Sequence, residues 1–155
     1  MKFSREITGI AVIDFLSGQE LGKVKEWLLD KSGRFVIAFV ADGGGWLPQS
    51  RLFSFGEIAG FGRDAIMVAG QGEQAAGDPP TLDGRETCRV LGKRMLSADG
   101  TELGIVEDIL FDEETGRVAG WRLSTGLIDD LLQGRPVLNE PLLLTMGEDA
   151  LIISD

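Results

Sequence analysis

Short apolar runs broken by turn residues fill the chain, and their spacing predicts β-strands more than helices. In the first half, strands are expected near residues 7–13, 21–29, 34–41, 51–55 and 65–69. Val24 sits between charged Lys23 and Lys25, the period-two pattern of a strand with one wet face. FVIAFVA, residues 35–41, is apolar on both faces, so it should be a central strand covered on both sides. Asp30-Lys31-Ser32-Gly33 has the chemistry of a hairpin turn, with Gly33 free to take a positive φ. The second half repeats this turn as Asp112-Glu113-Glu114-Thr115-Gly116, one residue longer. LIDDLLQG predicts one short helix, with Leu127, Ile128, Leu131 and Leu132 on one side and Gly134 to stop it.

The second half restates the first. ELGKVKEWLLDKSGR from Glu20 lies over ELGIVEDILFDEETGR from Glu102. Gly9 faces Gly92, Gly18 faces Gly100, Leu28 faces Leu110, and GRDAIMV at Gly62 faces GEDALII at Gly147. The order holds throughout while the offset drifts from 82 to 85, as a few one-residue insertions in turns would produce. An internal duplication of about 75 residues therefore organises the chain. The expected units are residues 1–70 and 85–155. Residues 71–84, QGEQAAGDPPTLDG after Gly70, form a linker rich in Gly, Ala and Gln.

Composition supports many tight turns. Glycine contributes 22 of the 155 residues while proline contributes 5. The net charge is −10 and unevenly placed: residues 1–77 hold 8 basic and 9 acidic side chains, residues 78–155 hold 7 and 16. Such acidity repels phosphate backbones, so nucleic-acid binding is not expected. The single cysteine, Cys88, allows no internal disulfide, which fits a reducing, cytoplasmic setting. The N-terminal MKFSREITGIAVIDF is interrupted by Arg5, Glu6 and Asp14 and does not read as a signal peptide, and no apolar run is long enough to span a membrane.

Catalytic chemistry finds little support. The chain has no histidine and no tyrosine, which rules out Ser-His-Asp and Cys-His arrangements and histidine-ligated metals. There is no CxxC, and GGGW at 43–46 lacks the lysine and helix of a phosphate-cradling loop. DEETG lacks the ligand spacing of a calcium loop and reads as a solvated turn. Adjacent acids Glu107 and Asp108 should point to opposite faces of a strand. No catalytic, cofactor-binding or metal-ligating residue is expected, and the chain is read as not an enzyme. A binding surface is better supported. Nine of 11 aromatics precede residue 78, more than a small core readily buries. Trp46 and Leu47 follow three glycines and are the candidate partner-binding residues.

Together these features resemble the PRC-barrel family. The carriers are the strand–Gly openings ITGIAVI and VLGKRML, the pair Leu21-Gly22-Lys23-Val24 and Leu103-Gly104-Ile105-Val106, the Asp-to-Gly-Arg hairpins ending at Arg34 and Arg117, and the closing G-x-D-A. DLLQGR in the second copy resembles bacterial tandem PRC-barrel proteins. The resemblance implies a mainly β chain of two small tandem PRC-type barrels with short helical segments. The family includes the cytoplasmic part of the photosynthetic reaction centre H subunit and a ribosome maturation factor whose barrel binds a ribosomal protein. It therefore implies a non-enzymatic interaction or scaffolding module whose partner is a protein or a second copy in a homodimer. An accessory role in electron transfer or in RNA and ribosome processing is the alternative by analogy.

Overall fold

The computed structural model describes residues 1–43, 49–124, 137–139 and 143–154. Within them the protein is mainly β, in two sheets. The strands are β1 (Lys2–Phe3), β2 (Ala11–Asp14), β3 (Glu20–Leu29), β4 (Val36–Asp42), β5 (Arg51–Ser54), β6 (Ile58–Phe61), β7 (Ala65–Val68), β8 (Glu73–Gln74), β9 (Arg94–Ser97), β10 (Glu102–Phe111), β11 (Val118–Ser124), β12 (Val137–Asn139), β13 (Leu143–Met146) and β14 (Ala150–Ser154). The described helices are two 3-10 turns, Ser4–Ile7 and Phe55–Glu57. The helix expected around residues 127–134 lies outside the described residues.

The first sheet runs β6-β7-β2-β3-β4-β5-β8, and the second runs β12-β11-β10-β9-β14-β13 with β1 added beside β10. Among the described residues no ring of hydrogen bonds closes either sheet. In both, the long strand pairs with its hairpin partner, and the opening strand of the repeat runs parallel to the closing one, β2 with β7 and β9 with β14. The duplication seen in the sequence is thus a duplication of topology.

Central β4 behaves as its composition demands. Val36, Phe39 and Ala41 face one apolar cluster, and Ala38 and Val40 face another. The second cluster is closed by Leu82 and flanked by Ala75, both from the segment between the repeats. That segment also supplies β8, which pairs with β5 at the sheet edge. Its contacts hold it against the first sheet.

The repeats meet at their hairpins. Gly33 and Gly116 take positive φ of 72° and 80°, turning Asp30 to Phe35 and Asp112 to Arg117 back on themselves. The Val36 N–H donates to the Gly116 carbonyl at 2.8 Å, and the Val118 N–H donates to the Arg34 carbonyl at 2.8 Å. These two bonds exchange under the 82-residue offset, which carries 36 to 118 and 34 to 116. Phe35 bridges Arg117, its own counterpart. A pseudo-two-fold axis therefore passes between them, and the interface has the self-complementary form of a symmetric dimer.

One core serves both repeats. It joins Val12, Leu21, Val24, Phe39, Phe53 and Ile66 to Val90, Met95, Val106, Ile109, Trp121 and Leu151. Aromatic rings cross the boundary: Trp27 and Phe111 lie 5.3 Å apart, and Phe55 and Phe61 approach Phe111 at 6.2 and 6.3 Å. Most first-half aromatics are thus used here, with Phe39 and Phe53 fully buried and Phe55 and Phe61 packed against the core.

Removing the Phe111 ring should cost about 3–5 kcal/mol, the usual range for a buried Phe→Ala change. Because Phe111 touches Trp27 and Phe61 of the other repeat, Phe111→Ala should lower the urea midpoint of both repeats together. Amide exchange and Trp fluorescence, followed in parallel, should still report one transition. Two separated transitions in the unaltered chain would rule out the shared-core account.

Candidate interaction surface

Trp46 and Leu47, the aromatic and aliphatic pair expected at the surface, lie outside the described residues. The described residues that flank them are tied together. The Ser50 hydroxyl donates to the Asp42 carboxylate at 2.9 Å. Gly22, with φ 135°, lets β3 approach Asp42 so closely that a Cβ there would sit 1.9 Å from the Asp42 carbonyl oxygen. Beside these residues a cavity of about 350 Å³ is lined by Lys23, Val24, Lys25, Asp42 and Gly43.

A second exposed apolar feature escaped the sequence reading. Phe15 and Leu16 form the apex of the turn after β2, 64% and 81% exposed. The turn is fastened from beneath. Asp14, 5% exposed, accepts the Leu16 N–H at 3.0 Å and the Ser17 hydroxyl at 2.9 Å. The Gly18 N–H donates to the Asp14 carbonyl at 2.8 Å, and the Phe15 N–H donates to the Val68 carbonyl at 2.8 Å. The Leu16 amide, with the Ser17 hydroxyl, holds the Asp14 carboxyl below its ordinary value.

The second repeat supplies an internal control. Its corresponding turn is Ser97-Ala98-Asp99-Gly100, fastened by the Ser97 hydroxyl on Asp99 and by the Thr101 N–H on both. It carries no large apolar side chain. This turn, one residue shorter, closes without large apolar side chains. A signal existed in the sequence: a Phe-Leu pair between Asp14 and Gly18 breaks the polar habit of turns.

Other chemistry-bearing groups are largely engaged in structure. A cleft of about 260 Å³ is bordered by Glu57, Glu73 and Asp83, with Leu52 and Leu82 at its base. Glu57 there is occupied as a cap, accepting from the Ser54 N–H at 2.7 Å. Among the described residues no three His, Cys, Asp or Glu side chains converge as a metal ion requires. Burial pushes the Cys88 thiol up, which leaves little nucleophilic thiolate at neutral pH. No described helix is long and apolar enough to cross a membrane.

Two acids hold the repeats together. Asp108, 1% exposed, accepts the Ser4 hydroxyl at 2.5 Å and the Arg5 N–H at 3.1 Å. Its counterpart Glu26 accepts Arg89 Nε and Nη2 at 2.7 and 2.9 Å, and the Arg89 guanidinium also pairs with Asp78. β10 carries a bulge between Val106 and Asp108, with Asp108 buried and Glu107 half-buried.

With this geometry in place, comparison with known families is informative. The PRC-barrel domain pattern matches the chain twice, at residues 1–74 and 83–154. The chain belongs to the PRC-barrel family and carries two tandem copies of its domain. No curated protein matches the chain.

Asp14 generates a pH prediction. A carboxyl whose folded pKa is depressed stabilises the fold above its unfolded value, here 3.8, and loses that contribution as the pH falls through the lower folded value. Asp14→Asn should therefore flatten the acid limb of stability below about pH 4. Urea midpoints of the two proteins should converge toward low pH; parallel curves would remove Asp14 as a contributor.

Proposed function

We propose that the protein is a non-enzymatic interaction module: two small barrels interlocked into one body that present a protein-binding surface on the first repeat. The observation that carries this reading is the Phe15–Leu16 apex, held out on a fastened turn that the second repeat builds without apolar residues. Large exposed apolar groups on a rigid support act as anchors in a partner's pocket. Trp46 and Leu47, in the stretch of sequence between β4 and β5 of the same repeat, belong to the same proposal. Two apex side chains alone fall far short of the roughly 800 Å² per partner of a stable complex. The surface therefore fits a partner that contributes a pocket and further contacts. The acidic second half, with 16 acidic and 7 basic side chains over residues 78–155, favours a partner with basic surface nearby. A single cysteine and an acidic surface suit a reducing cytoplasm.

The test is a quantitative pull-down from native extract using the intact chain and the double variant Phe15→Ser/Leu16→Ser. The variant should keep the wild-type urea midpoint to within about 0.5 kcal/mol, as exposed substitutions do. It should also lose at least one specifically retained protein by tenfold or more. Trp46→Ala/Leu47→Ala should weaken the same partner. If retention is identical for all three proteins, the interaction-surface reading fails.

A further inference from the structure

Each repeat binds the leading segment of the other, and the two grooves are built alike. On the second repeat, β1 lies antiparallel to β10, with Lys2 opposite Phe111 and Phe3 opposite Leu110. The Arg122 guanidinium stands 4.0 Å above the Phe3 ring. Ser4 and the Arg5 N–H reach Asp108, and Ile7, 3% exposed, enters the shared core. On the first repeat the segment before β9 does the same. Cys88 exchanges both backbone bonds with Leu29 at 2.8 and 3.0 Å, Arg89 grips Glu26, and Val90 enters the core. Leu29 corresponds to Phe111, Glu26 to Asp108 and Ile7 to Val90. Each groove thus reads an extended segment with three features: backbone pairing, two residues long on β10 and a single bridge at Leu29, an acid that takes donors, and an apolar slot.

The groove on the second repeat depends on its occupant. Ser4 and Arg5 supply two of the donors on Asp108 Oδ1, the third being the N–H of Ile109, and a buried carboxylate short of donors is costly. The groove therefore demands a segment of this chemistry, and the chain itself shows one that fits. We propose that the groove along β10 is a docking site for the leading segment of a second copy of this chain, giving an arm-exchanged dimer. Exchange leaves every contact of the segment unchanged, which is what makes swapping of identical elements inexpensive. The tethered segment competes at an effective concentration near a millimolar. Exchange therefore appears where copies are concentrated. The proposal rests on the arm contacts alone and is independent of the Phe15–Leu16 surface.

The experiment mixes two full-length chains, both carrying Cys88→Ala, one with Ser4→Cys and one with Asp108→Cys. The mixture is held near a millimolar under mild oxidation. A covalent mixed dimer on a non-reducing gel is expected. Adding Phe3→Ala to the Ser4→Cys chain should lower its yield severalfold, because the donated arm is weakened. Adding Phe3→Ala to the Asp108→Cys chain should raise it severalfold, because the resident arm is weakened. A Phe15→Cys chain in place of Ser4→Cys should give no mixed dimer, and equal cross-linking there would overturn the proposal. In parallel, a fluorescent peptide of residues 1–8 is titrated with the unaltered chain, which removes any dependence on how the variants fold. Saturable uptake, reversed by unlabelled peptide, is expected. No uptake up to millimolar protein would overturn the groove as a docking site. Uptake without the mixed dimer would overturn the second copy as its occupant and leave the groove to another protein's segment. Phe15→Ser/Leu16→Ser should leave all of these readings unchanged.

Discussion

Two hydrogen bonds at the pseudo-two-fold axis govern the molecule: Val36 to Gly116 and Val118 to Arg34. They fix hairpin against hairpin, and everything between the repeats follows from that register. With Phe35 opposite Arg117, the inner faces of β3 and β10 are brought together. Trp27 and Phe111 then meet on the boundary, and one apolar cluster replaces two small ones. A repeat of about 75 residues buries a smaller fraction of its surface than a chain of twice the length. Joining two through a common core is a direct remedy. Gly116 shows how tightly the arrangement is set, since a Cβ there would lie 2.6 Å from the Val36 carbonyl oxygen.

Pseudo-symmetry also separates what the fold requires from what it does not. Positions that agree across the repeats, such as Gly22 with Gly104 and Leu29 with Phe111, carry backbone approach or core contact. Positions that change from exposed apolar to small or polar are not bound by that demand. Phe15-Leu16 against Ala98-Asp99 is the clearest case, because both turns close through side chain-to-backbone bonds to the same kind of residue. The segment between the repeats is another. It covers Leu28, Ala38, Val40 and Leu52 on the first sheet, whereas Phe3 and Arg122 stack on the corresponding outer region of the second.

Much of the architecture could be read in advance. The strands at 20–29 and 36–42, the turns at Asp30 and Asp112, and the doubly covered β4 all follow from local pattern, because period, turn chemistry and apolar run length agree there. What could not be read was long-range. A strand was expected near residues 7–13, but β2 begins only at Ala11, and Ile7 ends a 3-10 turn in which Ser4 and Arg5 bond to Asp108, over 100 positions away. The bulge that buries Asp108 leaves no mark in an alternating strand. β8 pairs through backbone groups, which any sequence offers. Of the aromatics concentrated in the first half, Trp27, Phe39, Phe53, Phe55 and Phe61 pack in or against the core shared by the repeats, whereas the exposed pair at Phe15–Leu16 was not singled out from the pattern.

The two clasps differ in a way that specifies which segment docks where. Ser4 is short and buried, and it meets the shorter acid, Asp108. Arg89 is long and half-exposed, and it meets the longer acid, Glu26, through two guanidinium nitrogens. With Val90 in the slot of Ile7, Thr87 would take the place of Ser4, and with Ile7 in the slot of Val90, Glu6 would take the place of Arg89 and set one acid against Glu26. Near-symmetric repeats could otherwise dock their leaders interchangeably. Buried polar groups are poor sources of net stability but can fix register when the alternatives leave them unpaired. The acids at 26 and 108 are best understood in that role: the shared core supplies the affinity between the repeats, and the clasps decide which leader lies in which groove.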